Sequence, residues 1–454
     1  MSASFVVLGC RAHAHPVCLA MPARASAKAP KVVVIGGQFA GRKAARLLQR
    51  DFDVTLVDAK GVWEYTPGIL RCLVEPGTSR HMVLAQPPGT LTACATGFEI
   101  EEVDDGGEVT GVELSDGSKL PADFVILATG SSYASPVKTS QLEASSVEKR
   151  REELARGNAT LEAASSVLVV GGGTVGVELA AEIVGKYRAA KKVTLVTPAD
   201  RLLERMPEQA GKLALKWLKS NGVRVILKDR VSDWGGAPVD DSVLAPGGGA
   251  YVVKTAGGKT IEADVVYPCV GGAPAAAPAK KSIGSAMGIK GDVHVDSAMR
   301  ITGMTNVFAA GDCADTHVGE ERTAFTADLN AIAAAANVKN LRRGRSLQAY
   351  PNVVTGWSRV PVIAVVSLYK WYAVMQFNRV VIGGKFPAVV KWFLETMQIA
   401  VARGTWGAAF VWDAIEKVTV ALGRFLFTKE DESGSVPGLE LMKSISKNPP
   451  VAPA

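Results

Sequence analysis

Val32-Val33-Val34-Ile35 is an unbroken β-branched run, the pattern of a strand buried on both faces of a parallel sheet. A glycine-rich stretch follows, Gly36-Gly37-Gln38-Phe39-Ala40-Gly41, and then a helical segment, Arg42 to Gln49. A second apolar run, Asp53 to Val57, predicts a strand that ends at Asp58. The pattern recurs further on. Val167 to Val170 predicts a strand, Gly171 to Gly176 a turn, Val177 to Tyr187 a helix, and Lys192 to Val196 the next strand. Beyond it lie short strand signals separated by glycine, such as Tyr251-Val252-Val253 and Asp264-Val265-Val266. Near the C-terminus the period changes. Val389, Val390, Phe393, Leu394, Met397, Ala400 and Val401 recur at helical spacing within residues 388–403. Phe410, Trp412, Ile415, Val418, Leu422 and Phe425 do the same within 407–427. Each stripe predicts a helix that packs on the body or lies in a bilayer surface.

Composition narrows the choice. Of 454 residues, 48% are hydrophobic and 21% charged, which suits a large core and excludes global disorder. No run approaches the ~18 uninterrupted apolar residues of a membrane-spanning helix, so a membrane role is expected to be peripheral. The six cysteines form no C-x-x-C or C-x₄-C pair, so zinc-ribbon, thioredoxin-like and dithiol-reductase chemistry lose their usual signal. The net charge of +7 is unevenly placed. Residues 1–31 carry +4 with no acid, and residues 341–454 carry 14 Lys/Arg against 7 Asp/Glu. The middle therefore sums to −4. A basic end on an acidic body suits an anionic membrane surface, reached through residues 388–427; a solvated face is the plainer reading. No basic helix or interleaved aromatic–basic motif is present, so no specific nucleic acid is expected. Residues 1–30 resemble an organelle transit segment, mitochondrial before plastid, with a cytoplasmic protein as the alternative.

The two glycine turns carry the chemistry. In G-x-G-x-x-G the first glycine permits the bend, the second admits a pyrophosphate to the backbone, and the third lets helix meet strand. The free N–H groups of the helix then face the phosphate. Gly36 and Gly41 fill the first and third places of the first turn, with Gly37, Gln38, Phe39 and Ala40 between. Gln38 departs from glycine at the second place, where it either crowds the pyrophosphate or contacts it through its amide. Asp58, 22 residues after Gly36, stands where a carboxylate accepts ribose hydroxyls. The second turn matches fully at Gly171, Gly173 and Gly176, followed by Glu178. Its second strand ends Val196-Thr197-Pro198, with no acid to repel a 2′-phosphate and Arg201 nearby, so both NADH and NADPH are expected.

Two further segments extend the pattern. Phe124 to Gly130, ending Ala-Thr-Gly, resembles the element that closes the flavin domain of two-dinucleotide flavoproteins. Thr305 to Ala314, containing Gly311 and Asp312, resembles their late flavin motif, where the aspartate holds the ribityl chain. Within that superfamily the sequence is most similar to the ferroptosis-suppressor branch, the apoptosis-inducing-factor-like mitochondrion-associated proteins, relatives of type II NADH:quinone oxidoreductases. Leu70 to Pro76, Gly176 to Ile183 and Leu347 to Tyr350 carry that resemblance.

The resemblance implies an α/β fold with two Rossmann-like domains, one for FAD and one for NAD(P)H, the second inserted in the first, and a C-terminal α+β domain. The expected divisions are a transit-like or disordered 1–30, an FAD domain of 31–140 and 271–340, an NAD(P)H domain of 141–270, an interface or membrane-facing domain of 341–429, and a tail of 430–454. It also implies hydride transfer from NAD(P)H to flavin and two electrons onward to a lipid-soluble quinone. Arg71 would approach the flavin, Glu101 would use its backbone on the adenine, and Arg322 would stand near the flavin ring. Glu178 would orient the nicotinamide half, unless it only complements the helix dipole. Glu178 and Arg322 are thus the candidate catalytic residues; no metal is expected. A reductase of a soluble iron–sulfur protein, or a redox-sensing flavoprotein that binds protein or nucleic acid, are the alternative functions.

Overall fold

The computed structural model describes residues 29–104, 106–133, 137–139, 145–237, 250–316 and 318–425. Residues 1–28 of the expected transit-like segment, residues 426–429 of the expected C-terminal domain and the expected tail lie outside these residues. In chain order, the elements that build the molecule begin with β1 (Lys31–Ile35), α1 (Phe39–Leu48), β2 (Asp53–Asp58), β3 (Val62–Glu64), α2 (Arg71–Val74), β4 (Leu91–Thr92) and β5 (Phe124–Leu127). Next come α3 (Val147–Ala163), β6 (Ser166–Val170), α4 (Thr174–Tyr187), β7 (Lys192–Val196), β8 (Arg224–Ile226), β9 (Val265–Pro268), β10 (Val307–Ala309) and α5 (Ala324–Arg342). The chain closes with β11 (Ile363–Ser367), β12 (Ala373–Phe377), β13 (Val380–Gly384), α6 (Lys385–Ala402) and α7 (Ala408–Phe425).

Two parallel sheets dominate. The first has the order β10-β5-β1-β2-β4, and the second β8-β7-β6-β9. β10 pairs with β5 across the whole second unit, Val307 opposite Val125, so the second sheet is inserted between strands of the first. This is the α/β class expected from the two β-branched runs. Val32 to Ile35 and Val167 to Val170 are all buried, as strands covered on both faces must be. Both first helices start earlier than the sequence pattern suggests, at Phe39 and Thr174, because the last residues of each glycine turn already hold helical geometry.

Helix α1 crosses α5 through small residues. Ala44 and Ala45 face Ala331, Ala334 and Ala335 in one core beneath the first sheet. The C-terminal sheet β11-β12-β13 is antiparallel, and its Val366 and Val374 join the core of the second unit. The α+β C-terminal domain is therefore seated on the nucleotide units rather than hung from them.

The two terminal helices invert the usual amphipathic arrangement. On α6 the buried positions are Pro387, Ala388, Lys391, Gln398 and Ile399, while Phe386, Val389, Trp392 and Phe393 are exposed. On α7 Trp412, Glu416 and Val420 are buried, and Phe410, Val411, Val418, Leu422 and Phe425 are exposed. Both apolar stripes predicted from the sequence are thus split, and most of their aromatic residues face away from the body. Among the described residues no helix is long and apolar enough to cross a membrane.

Candidate functional site: two nucleotide turns and a charged junction

The first glycine turn closes on backbone. A Cβ on Gly36 would stand 2.2 Å from the Ala128 carbonyl oxygen, and one on Gly41 1.7 Å from that of Gly36. Gly36 also holds φ +106°, outside the range of L side chains. Neither position admits another residue. Helix α1 begins with no side-chain cap, so its first N–H groups are left for a ligand. The Phe39 ring lies 5.6 Å from Trp63 and edge-on to Tyr65. Ala40 is buried, and Gly311 meets it so closely that a Cβ there would lie 3.3 Å from that of Ala40.

Gln38 turns away from the turn it interrupts. Its Nε2 donates to the Val62 carbonyl at 2.9 Å, and its Oε1 accepts from the Glu64 N–H at 3.1 Å. Its φ of −95° needs no glycine. The amide therefore tethers the β3 edge.

Asp58 is buried at the end of β2. It accepts from Gly37 N–H at 2.5 Å, Lys60 N–H at 2.7 Å and Gln86 Nε2 at 3.3 Å. Burial pushes its carboxyl above the ordinary range, against the pull of those donors. Asp312 accepts from Ser131 Oγ at 2.7 Å and lies 3.8 Å from Lys138 Nζ. Gly311 and Gly130 both take positive φ. Glycine cradle, uncapped helix and ribose carboxylate together fit a flavin dinucleotide. Lys138 was not legible in the sequence, since no motif spacing marks it.

The second turn repeats the logic. A Cβ on Gly171 would stand 2.2 Å from the Cys269 carbonyl oxygen, and one on Gly176 2.0 Å from that of Gly171. Gly173, at the uncapped start of α4, meets nothing within 4 Å and leaves room for a pyrophosphate. Thr197 is buried beside Gly172. Arg201 is held by backbone carbonyls of its own loop, Leu203 at 3.0 Å and Glu204, rather than aimed at the turn.

Between the two turns the domains meet in a charged junction. Arg71, opening α2, pairs with Glu182 of α4 at 2.9 Å, and the acid is the more deeply buried partner. Glu178, one turn earlier on α4, accepts from Ser367 N–H at 2.6 Å and is ion-paired with Lys391 of α6. Glu395 lies one turn beyond Lys391, within electrostatic reach of Arg71, Lys391 and Glu182. Burial raises the carboxyls of Glu182 and Glu395. Tyr65 completes the junction; burial, then the charges of Glu395 and Glu178, push its phenol far up. Of this set the motifs pointed only to Arg71 and Glu178. The signal for the rest was Lys391 and Glu395, a charged pair at i, i+4 inside an apolar helical stripe.

Two further expected site residues stand outside this junction. Glu101 is exposed near the tip of the hairpin 95–114, opposite Glu108, six residues along its strand from Ala95. The strand next to Asp58 is β4, whose Thr92 pairs with it. Arg322 donates to Asp292 at 2.6 Å, beside the short strand whose Val293 pairs with Ala314. Among the described residues no His/Cys/Asp/Glu group suited to a metal is present.

A family model described as pyridine nucleotide-disulphide oxidoreductase matches residues 30–335. Ferroptosis suppressor protein 1 of Homo sapiens is 30% identical over 342 residues, 71% of this chain and 84% of that protein. Apoptosis-inducing factor homolog B of Dictyostelium discoideum is 28% identical over 331 residues, covering 70% and 82%. Among solved structures, the sulfide:quinone oxidoreductase of Aquifex aeolicus superposes with a TM-score of 0.64 at 16% identity, over 86% of this chain and 95% of that one.

Proposed function

The chain belongs to the pyridine nucleotide-disulphide oxidoreductase family, in its ferroptosis-suppressor branch, and from that premise we propose that it reduces a lipid-soluble quinone. It is an FAD-dependent NAD(P)H oxidoreductase. FAD, when bound, takes a hydride from NAD(P)H and passes two electrons to the acceptor. The residues do the positioning. Gly36 to Gly41 and the start of α1 hold the flavin pyrophosphate, Asp58 its ribose, and Gly130, Gly311 and Asp312 its ribityl side, with Lys138 as counter-charge. Gly171, Gly173 and Gly176 hold NAD(P)H. Glu178 faces the nicotinamide half, its carboxylate aimed by Lys391 and the Ser367 N–H. Arg71, fixed by Glu182, supplies positive charge where electron density builds. Arg322 stays a candidate only through its place before α5.

The observation that carries the acceptor is α6. One helix presents Lys391 and Glu395 to the junction and Phe386, Val389, Trp392 and Phe393 to solvent. Trp371, Trp406, Phe410, Leu422 and Phe425, on the neighbouring segments of the C-terminal domain, are exposed as well. So large an exposed aromatic surface marks a contact site. The basic excess of residues 341–454 suits an anionic membrane surface, and a quinone dissolved there enters beside α6. The acid-free N-terminal segment supports an organelle address, mitochondrial before plastid.

Steady-state oxidation of NAD(P)H with short- and long-chain quinones, set against a ferredoxin-type acceptor, tests the reading. Turnover with quinones and not with the iron–sulfur protein is expected; the reverse overturns it.

A further inference from the structure

Three carboxyl groups, Glu178, Glu182 and Glu395, meet where the two nucleotide units and the C-terminal domain come together. Two of them are pinned. Glu178 is held by Lys391 and the Ser367 N–H, and Glu182 by Arg71. Glu395 makes no hydrogen bond or ion pair with the described residues, yet it is only half-buried. It sits on the inward edge of α6, one turn from Lys391, on the helix whose outer side is apolar.

The balance of the proposed reaction leaves a task open. NAD(P)H + quinone + H⁺ gives NAD(P)⁺ + quinol. The coenzyme supplies two electrons and one proton as hydride. The second proton must come from solution, through a group that reaches both water and the acceptor. A carboxylate locked in an ion pair donates poorly; a half-buried carboxyl without a partner donates well.

We infer that Glu395 is the proton donor to the acceptor in this site, an assignment that rests on the quinone reading above. The Glu395 O–H bond breaks as the quinone O–H bond forms. The carboxylate left behind is met by Lys391 and Arg71 and takes its next proton from water at the open side. The groups facing it are Arg71 and Cys72 on α2, Tyr65 after β3, Glu178 and Glu182 on α4, and Lys391 on its own helix. Burial and the neighbouring acid Glu182 keep the carboxyl protonated above the ordinary range, while the two cations limit that rise. The arrangement thus favours the protonated carboxyl more than water does, and sets two cations where its loss leaves a charge.

Stopped-flow measurement of the two half-reactions in the flavin-loaded full chain tests this. Glu395→Gln is expected to keep flavin reduction by NADH within about threefold and to slow reoxidation by a short-chain quinone by about 10²-fold. Glu395→Asp is expected to recover part of the loss. The fall of the wild-type reoxidation rate at alkaline pH should vanish in the Gln variant. A Gln variant that reoxidises at the wild-type rate with the wild-type pH profile overturns the assignment. If the wild-type protein does not reduce quinone, the acceptor reading itself has failed, which is a separate result. Should the Gln variant lose its flavin, the wild type alone decides. A solvent deuterium isotope effect of about 2 or more on reoxidation supports the assignment, and none contradicts it.

Discussion

Lys391 on α6 and Glu178 on α4 form an ion pair with side chains only 11% and 14% exposed, joining α6 to the helix that follows the second glycine turn. The pair fixes the direction of a carboxylate that the sequence motif only located. Buried charges left single are costly, so the two residues are energetically one unit. Lys391→Met should destabilise the protein by roughly 2–4 kcal/mol. Adding Glu178→Gln should return part of that loss. Thermal unfolding of the two single variants and the double variant measures the coupling; strictly additive losses would refute it.

Gln38 and Asp58 flank the same turn with separable roles. Gln38→Ala removes two hydrogen bonds to β3 and should cost about 1–2 kcal/mol while the flavin is retained. Asp58→Ala and Asp312→Ala should instead lower the flavin-to-protein ratio, read from absorbance. Loss of flavin in the Gln38 variant, or full flavin in both Asp variants, would reverse these roles.

Thr197 is the position at which coenzyme choice is tested. It offers no charge against a 2′-phosphate, and the loop carbonyls already engage Arg201. NADH and NADPH should both reduce the flavin. Thr197→Glu should shift the kcat/KM ratio toward NADH by about 10-fold or more, or about 1–3 kcal/mol. Equal ratios before and after would show that Thr197 does not meet the ribose.

A second buried charge cluster makes α7 sensitive to pH. Lys43 of α1 is ion-paired with Asp413 and Glu416, and Arg46 binds Asp413. The Trp412 indole donates to both Asp328 and Glu416, at 3.1 and 3.0 Å. Burial and the adjacent Asp328 push the Glu416 carboxyl up to about 8. A carboxyl raised in the folded state favours folding most fully below its unfolded value. That contribution declines as pH rises and is gone above about 8. Stability should therefore fall from about pH 4.5 to about 8, and Glu416→Gln should flatten the fall. Unfolding midpoints across that range check it.

The exposed face of α6 and α7 is testable without disturbing that cluster. Deleting α7 would strand Lys43, so point changes are the better probe. Trp392→Ser with Phe410→Ser and Phe425→Ser should weaken binding to anionic liposomes about 10-fold or more. It should also slow long-chain quinones more than short-chain ones. Unchanged liposome binding would make the face a contact for something other than lipid.

Much of the fold was legible because burial on both faces forces continuous β-branched runs, and tight turns force glycine. Gly36, Gly41, Gly171 and Gly176 are places where a Cβ meets backbone, and sequence shows such constraints directly. Asp58 and Asp312 were legible for the same reason, each fixed at a set distance from a turn. Lys138, Glu182, Lys391 and Glu395 were not, because they meet their partners only through tertiary packing; Lys391 stands 213 residues from the Glu178 it pairs with. Which side of α6 and α7 faces the body was open in the sequence on the same account. Spacing showed a stripe, but not that the inward side would be chosen by charge.

The central claim is that NAD(P)H electrons leave this protein to a quinone, and an anaerobic two-step titration tests it most directly. Flavin-loaded protein is bleached with one equivalent of NADH, then mixed with one equivalent of a short-chain quinone. The account predicts full return of the oxidised flavin spectrum within seconds, with one quinol formed per NADH oxidised. Flavin that stays bleached with quinone present, yet reoxidises with a ferredoxin-type acceptor, would contradict it.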